Sequence, residues 1–379
     1  MKELAFIFLK LGFTAFGGPA AHIAMMEQEF VRRRQWLSQQ EFLDLLGASS
    51  LIPGPSSSEL AIFIGQKRAG WRGLLLAGLC FILPAALIVG AIAWAYVKYN
   101  SLPVVSSILY GIKPVIVAVI IQAIWTLRKT AVKTKPLFVI GCCVILGSLL
   151  GVNIPLLLLG AGIVSVFTQV DRIKKGVGIG SAAFLSWILF SSKQVIAATL
   201  TAVQAPITLT RIFLFFLKVG AIQFGSGYVL LAFLRDDLVK HWHWLTEPQL
   251  LDAIAVGQFT PGPVFTTATF IGYLLHGKQG AIVATIGIFL PAFLLVAASG
   301  SFIPRLRKSQ VAGAFLDGVN VASLALMATV TLQLGHASLI DLTTILIAAA
   351  SAFALIRYKT SSVWLILLGG LGGFLIKFI

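Results

Sequence analysis

The chain has 379 residues, of which 58% are apolar and only 11% charged, and its formal net charge is +16. A soluble globular domain carries about 25% charged residues, so this composition excludes a water-soluble fold. The basic residues stand between apolar runs instead of forming one block. This distribution indicates membrane topology signals and lipid contact, and argues against nucleic-acid binding.

Apolar runs follow one another along most of the chain, for example at 73–97, 115–127, 154–170, 281–300 and 311–333. A helix needs roughly 20 apolar residues to cross the hydrocarbon core, and the runs lack the two-residue alternation of barrel strands. They predict an all-α polytopic membrane protein with about ten membrane segments. Cys80, Cys142 and Cys143 all lie in such runs and are interpreted as packing residues.

The first apolar segment is interrupted at Gly17-Gly18-Pro19. Proline removes a backbone donor and glycine permits a sharp reversal, so this motif is expected to end one half-helix and begin another. Because the segment continues through the motif and recurs later in the chain, we interpret it as a membrane segment and not as a cleaved signal peptide.

The second segment is interrupted at Pro53-Gly54-Pro55. Basic residues precede it at Arg32–Arg34 and follow it at Lys67-Arg68, which places both of its ends on one face of the membrane. We therefore predict a re-entrant pair of half-helices over 37–66. A single kinked crossing is the alternative.

The second half of the chain repeats the first. Phe216–Gly220 copies Phe8–Gly12 at an offset of 208, Gly225-Ser226-Gly227 stands at the first break, and Pro261-Gly262-Pro263 repeats the second break. We divide the chain into a first transporter repeat at 1–175, a linker with a crossing helix at 176–208, and a second repeat at 209–379.

Basic residues mark different connections in the two repeats. In the first they lie at Arg32–Arg34, Lys67-Arg68 and Arg128-Lys129, whereas in the second they lie at Arg305–Lys308 and Arg357–Lys359, which follow later elements. Cytoplasmic connections are enriched in Lys and Arg, so equivalent loops are expected on opposite sides. The pattern predicts an inverted-topology repeat, a design common among secondary transporters.

A half-helix that starts inside the membrane presents free N–H groups and a partial positive charge, which together attract an anion. Ser56, Ser57 and Ser58 follow one PGP motif, while Thr266 and Thr267 follow the other. Four such helix starts near the midplane would suit a divalent tetrahedral oxyanion. The alternative is that these Gly and Pro residues serve only packing or bends. The predicted substrate-binding residues are Lys10, Gly17, Gly18, Pro19, Pro53, Gly54, Pro55, Ser56, Ser57, Lys218, Gln223, Gly225, Ser226, Gly227, Pro261, Gly262, Pro263, Thr266 and Thr267.

Ionisable residues in apolar segments are costly and usually functional. Four of them are proton-coupling candidates: His22, Asp44, Glu59 and Asp252. The structural alternatives are packing for His22, and a helix cap or an inter-repeat ion pair for the two aspartates. Lys10 and its copy Lys218 either attract the anion or extend to the membrane interface.

No metal-binding, triad or phosphate-loop motif is present in the sequence, so we predict no enzyme activity, no catalytic residue, no metal and no cofactor. The short loops leave little surface for soluble partners. The expected partners are an oxyanion and the lipid bilayer, and a homodimer is compatible with the sequence.

The chain resembles the chromate ion transporter family, of the fused two-domain type. The resemblance rests on K-x-G-x-x-x-F-G-G-P at Lys10–Pro19, W-L-S-x-x-E-F at Trp36–Phe42, and P-G-P at Pro53–Pro55, with the core repeated from Lys218. The second copy departs from the pattern at Ser226-Gly227, so its break is expected to be softer.

The resemblance implies export of chromate, driven by the proton motive force, across a bacterial inner membrane. Sulfate has the shape and charge of chromate, so the residues alone leave a transporter for sulfate or another oxyanion open. An anion channel of the same architecture is a further alternative.

Overall fold

The computed structural model describes residues 1–16, 18–99, 103–169, 206–223, 230–299, 309–358 and 360–378. Within these ranges the chain forms fourteen α-helices and no strands. The first half contains α1 (Lys2–Thr14), α2 (Gly18–Glu27), α3 (Gln39–Ser49), α4 (Ser56–Tyr99), α5 (Pro103–Ala131), α6 (Lys135–Leu149) and α7 (Ile154–Gln169). The second half contains α8 (Leu209–Ile222), α9 (Leu230–Phe233), α10 (Glu247–Phe259), α11 (Thr267–Ser299), α12 (Gln310–Ser338), α13 (Leu342–Arg357) and α14 (Ser362–Phe378).

The helices have the length and the surface of membrane segments. α4, α5, α11 and α12 are long and apolar enough to cross a bilayer, while α6, α7, α13 and α14 are shorter apolar helices. Large apolar side chains such as Leu87 and Leu332 are each 69% exposed on the outside of the bundle. Such a surface is stable in lipid, so the chain is a multi-pass membrane protein.

The two halves repeat even their irregularities. π-helical turns follow α2 at Gln28–Arg33 and α9 at Leu234–His241. The next loops each contain a residue with a φ of 51°, Gln35 in the first half and His243 in the second. Matching departures from regular geometry at one sequence offset show that α1–α7 and α8–α14 are homologous halves.

The long helix α4 is a hairpin of two helices. Ala69 and Gly70 leave helical geometry, with φ values of −146° and 59°. A Cβ atom on Gly65 would collide with the backbone of Gly73, which shows that the two parts fold back into contact. α11 has the same reversal at His276 and Gly277. Each PGP motif is therefore followed by a short half-helix and then by a long crossing helix.

The segment around the first PGP motif is re-entrant, as the sequence predicts. α3 begins with a capping box between Ser38 and Glu41. Lys67, at the end of the half-helix after the motif, donates to the Glu41 carboxylate at 2.6 Å. The two ends of the segment therefore meet on one face, and a single kinked crossing is ruled out.

Equivalent long helices run antiparallel across the two halves. Gly78, early in the second part of α4, faces Phe293 near the end of α11. Trp94, near the end of α4, lines a surface pocket together with Lys278 and Ala281 at the start of the second part of α11. Opposite directions of equivalent crossing helices make the repeat inverted. The predicted crossing helix in the linker falls mainly on 170–205, outside the described residues, and so do the basic residues of Arg305–Lys308.

The last two helices of each half pack on the other half. α6 and α7 contact α12, while α13 and α14 contact α5. The closest approach joins Gly111 of α5 with Gly369 and Gly373 of α14, where a Cβ on Gly111 would collide with the α14 backbone. Small residues at such crossings let helix backbones come together and gain van der Waals contact. The core is thus shared between the halves.

Candidate functional site

Each PGP motif is hydrogen-bonded to the end of the other half's first helix. The Gly54 amide donates to the Gln223 carbonyl at 2.7 Å, and the Gly262 amide donates to the Ala15 carbonyl at 2.8 Å. Ala15 and Gln223 are the C-terminal caps of α1 and α8 and occupy equivalent positions in the repeat. These reciprocal bonds supply backbone partners inside the membrane, where an unpaired group costs several kcal/mol.

Only glycine fits at the centre of either motif. Gly262 has a φ of 89°, and a Cβ atom there would lie 2.7 Å from the Ala85 Cβ and 3.3 Å from the Gly12 carbonyl. Gly54 has a φ of 141°, and a Cβ atom there would collide with the Glu59 carboxyl group. The cross-half bonds therefore depend on the missing side chains.

A cavity of about 330 Å³ lies beside the first-half breaks. Pro19 of α2, Ser50 at the end of α3 and Ser56 at the start of α4 line its first-half wall. Asn320 and Ser323 of α12 line the opposite wall, so the two halves build the cavity together. The remaining lining residues are Ile23, Leu46, Leu127, Thr130, Ala131 and Leu324.

The cavity wall suits an oxyanion. Pro19 and Ser56 stand in the first turns of α2 and α4, whose free N–H groups and helix dipoles favour negative charge. The Ser56 hydroxyl and the Asn320 amide can donate to oxygen atoms, whereas the Ser50 and Thr130 hydroxyls donate to the Leu46 and Leu127 carbonyls at 3.0 and 2.9 Å. Every side chain in the lining is uncharged. Gly18, with a φ of 75°, allows the sharp entry into α2.

His22 links the first break to the start of α4. Its Nε2 lies 3.1 Å from the Ala15 carbonyl and its Nδ1 lies 3.2 Å from the Ser57 hydroxyl. One neutral tautomer satisfies both bonds, with Nε2 donating to the carbonyl and Nδ1 accepting from the hydroxyl. The ring is 1% exposed. In this conformation His22 holds the hydrogen-bonded junction between the halves together, because Ala15 is also the acceptor for Gly262.

Glu59, Gln223 and Ser58 are buried without side-chain partners. Glu59 and Gln223 are each 0% exposed, and neither Glu59 carboxylate oxygen nor either Gln223 amide atom has a hydrogen bond within the described residues. Both residues touch Gly54, Glu59 through its carboxyl group and Gln223 through its backbone carbonyl. Within the described residues, these side chains therefore lack the hydrogen bonds that buried polar groups normally make.

The two predicted aspartates have partners. The Asp252 carboxylate accepts from the Tyr96 hydroxyl at 2.8 Å and lies 3.2 Å from the Lys113 ammonium, which forms the inter-repeat ion pair foreseen as an alternative. Asp44 accepts from the Gln40 amide at 3.1 Å. Both groups are thus held by neighbours, in contrast to Glu59.

The two predicted lysines differ from each other. Lys218 donates to the Asp237 carboxylate at 2.6 Å, beside the π-helical turn, whereas Lys10 is exposed. No described contact joins either ammonium group to the cavity or to the Glu59 cluster.

In the second half the threonine hydroxyls are used locally. Thr266 donates to the Pro263 carbonyl and Thr267 to the Val264 carbonyl, both at 2.8 Å, and both side chains are 0% exposed. The prolines of the two PGP motifs lie at the breaks themselves. Pro55, Pro261 and Pro263 are buried, and Pro53 is half-buried. Gly17, Gly225, Ser226 and Gly227 lie outside the described residues.

Sequence reasoning missed the residues that complete the site. Ser50 is the C-terminal cap of α3, outside the predicted motif, and Asn320 occupies the position of Lys113 in the other half. Asn320 and Ser323 lie on α12, far along the chain and outside any motif. The repeat alignment could have singled out Asn320, because a neutral side chain replaces a charged one there.

The chain is similar to known transport proteins over nearly its whole length. The family model described as "Chromate transporter" matches residues 2–166 and again residues 210–374. A probable chromate transport protein of Synechococcus elongatus is 34% identical, over 92% of this chain and 88% of the relative. Chromate transport proteins of Cupriavidus metallidurans and Pseudomonas aeruginosa are 31% and 30% identical, each over 97% of this chain and 91% of the relative. No solved structure matches the chain.

Proposed function

The chain belongs to the chromate transporter family, and from that membership we propose that it exports a divalent oxyanion, chromate, across the bacterial inner membrane under the proton motive force. Three relatives that share most of their length with this chain are named for chromate transport. An oxyanion is thus the substrate class, and the cavity at the first-half breaks is its binding site.

The observation that carries this proposal is the meeting of two helix starts, the Ser56 hydroxyl and the Asn320 amide in one cavity. A tetrahedral dianion needs donors from several directions, because each of its four oxygens loses water on binding. α2, α4 and α12 approach the cavity from different sides and supply amide, hydroxyl and carboxamide donors. Uncharged donors bind such an ion without holding it so tightly that release becomes slow.

The basic residues near the cavity support loading from the cytoplasm. Leu127, Thr130 and Ala131 of α5 line it, and they lie at the end of that helix which carries Arg128 and Lys129. The basic end of a crossing helix is expected on the cytoplasmic side. Outward movement of a dianion is favoured by an inside-negative potential, by about 4.6 kcal/mol per 100 mV for two charges.

Proton coupling is assigned to the ionisable residues around the breaks. Glu59 is the strongest of these, because its carboxyl group is buried and unpartnered, whereas His22, Asp44 and Asp252 are engaged by neighbours.

The test is uptake of labelled chromate and of labelled sulfate into proteoliposomes, with and without an imposed pH gradient and membrane potential. Saturable chromate uptake above protein-free vesicles supports the proposal. No uptake of either ion refutes it. Uptake that favours sulfate reassigns the substrate, and flux that follows voltage without saturation or pH dependence identifies a channel.

A further inference from the structure

Glu59 lies one helical turn beyond the cavity wall. Ser56 lines the cavity, and Glu59 follows three residues later on the same helix, a rise of about 4.5 Å. An oxyanion held at the start of α4 is therefore within about 10 Å of the Glu59 carboxyl group. At this separation and in a medium of low polarity, two negative charges repel each other strongly.

No described side chain neutralises Glu59. The titratable residues on the neighbouring elements are Lys2, Glu3 and Lys10 on α1, His22 and Glu27 on α2, Glu41 and Asp44 on α3, Arg211 and Lys218 on α8, and Glu247 and Asp252 on α10, and none of them is hydrogen-bonded to Glu59. The part of α11 that packs here, around residues 289–296, carries no titratable residue. Lys10 is exposed, His22 is engaged by Ala15 and Ser57, and Asp252 is engaged by Lys113.

We propose, as an extension of the proposed function, that Glu59 binds one proton together with each oxyanion, so that the transported unit is one dianion plus one proton. The ionised carboxylate and the dianion exclude each other, and a proton on Glu59 removes that repulsion. Proton and oxyanion therefore bind with positive coupling, and thermodynamic reciprocity requires that each favours the other. Positive coupling makes the protein a symporter that moves one net negative charge per cycle.

With this stoichiometry, the membrane potential and the proton gradient act on export in opposite directions. The inside-negative potential drives the single net negative charge outward. The inward proton gradient opposes export, because the proton leaves with the oxyanion. Export is therefore driven by the membrane potential. In an anion–proton exchanger, by contrast, an inward proton gradient would favour export.

The experiment measures the potential at which net flux stops, since this value depends on stoichiometry and not on rate. Proteoliposomes receive a tenfold chromate gradient in alkaline buffer, where chromate is a dianion, and potassium with valinomycin sets the potential. With equal pH on both sides, the wild-type flux is expected to stop at about 59 mV, the value for one net charge. A tenfold proton gradient in the same direction as the chromate gradient is expected to shift this potential by a further 59 mV or so.

Glu59→Gln keeps the shape of the side chain but cannot exchange a proton. Its flux is expected to stop at about 30 mV, the value for two charges, with no shift in a pH gradient. Glu59→Asp retains the carboxyl group and is expected to retain the wild-type potential and its pH shift. Glu27→Gln is the matched control, because Glu27 pairs with Arg32 on the surface, and it is expected to behave as wild type.

The outcomes separate the two proposals. Absence of chromate flux in the wild-type protein overturns both. Wild-type flux that stops near 30 mV without a pH shift, or that shifts in the opposite direction, overturns only the proton symport. A potential that follows a sodium gradient instead of a pH gradient also overturns it. If Glu59→Gln does not fold, the wild-type potential and the Glu59→Asp variant still decide the stoichiometry.

Discussion

Ser56→Ala tests whether the cavity binds the oxyanion. Ser56 is the first residue of α4, and alanine can occupy that position without disturbing the helix, so the change removes one hydroxyl donor and little else. A hydrogen bond to a charged group contributes about 1.5–3 kcal/mol, and 1.4 kcal/mol corresponds to a factor of about ten in affinity. We expect chromate affinity to fall roughly 10- to 150-fold.

The measurement is the half-saturating chromate concentration for uptake, together with the dissociation constant in detergent by titration calorimetry. Asn320→Ala, on the opposite wall of the cavity, should have an effect of similar size. Ser351→Ala is the control, since this serine is 6% exposed on α13 and does not line the cavity. The assignment of the cavity is refuted if Ser56→Ala and Asn320→Ala both bind chromate as tightly as the control.

Three further changes test the break and its surroundings. Gly262→Ala combines a strained φ with a clash and should lower the free energy of unfolding by about 2–5 kcal/mol. Gly277→Ala also has a positive φ but open space around it, and it should lower the free energy of unfolding by about 1–2 kcal/mol. Equal losses for the two variants in thermal unfolding would contradict the clash at Gly262. Asp252→Asn leaves the half-buried Lys113 without its ionic partner and should cost about 3 kcal/mol. An apolar replacement of both residues should recover most of the melting temperature, unless the pair is functional. Pro55→Ala should impair chromate uptake while membrane insertion, measured by protease protection, stays intact; unchanged uptake would mean that the break serves only packing.

Much of the architecture could be predicted from local sequence signals. Composition and long apolar runs predict membrane helices, because lipid leaves few alternatives to them. The repeated PGP motif predicts matched breaks, since proline and glycine act on the backbone wherever they stand. The basic residues at Lys67-Arg68 predict the re-entrant path, which the Lys67–Glu41 ion pair confirms.

The site itself was less predictable, because its contacts join distant parts of the chain. Nothing near Gly54 in sequence indicates that its amide meets the Gln223 carbonyl, since that bond requires the inverted arrangement of the halves. Asn320 and Ser323 belong to a long helix without a local motif. The pairing of Lys218 with Asp237 depends on the course of a π-helical turn, which residue preferences do not predict.

The last two helices of each half pack against the other half, and this arrangement affects how the protein is inserted into the membrane and how it could have evolved. α5 is covered by α13 and α14, and α12 is covered by α6 and α7. During synthesis α5 is inserted before α13 and α14, so its surface around Gly111 is exposed to lipid until those two helices have been inserted. A gene that encoded one half alone would have to insert its product in both orientations, so that two oppositely directed copies could cover each other.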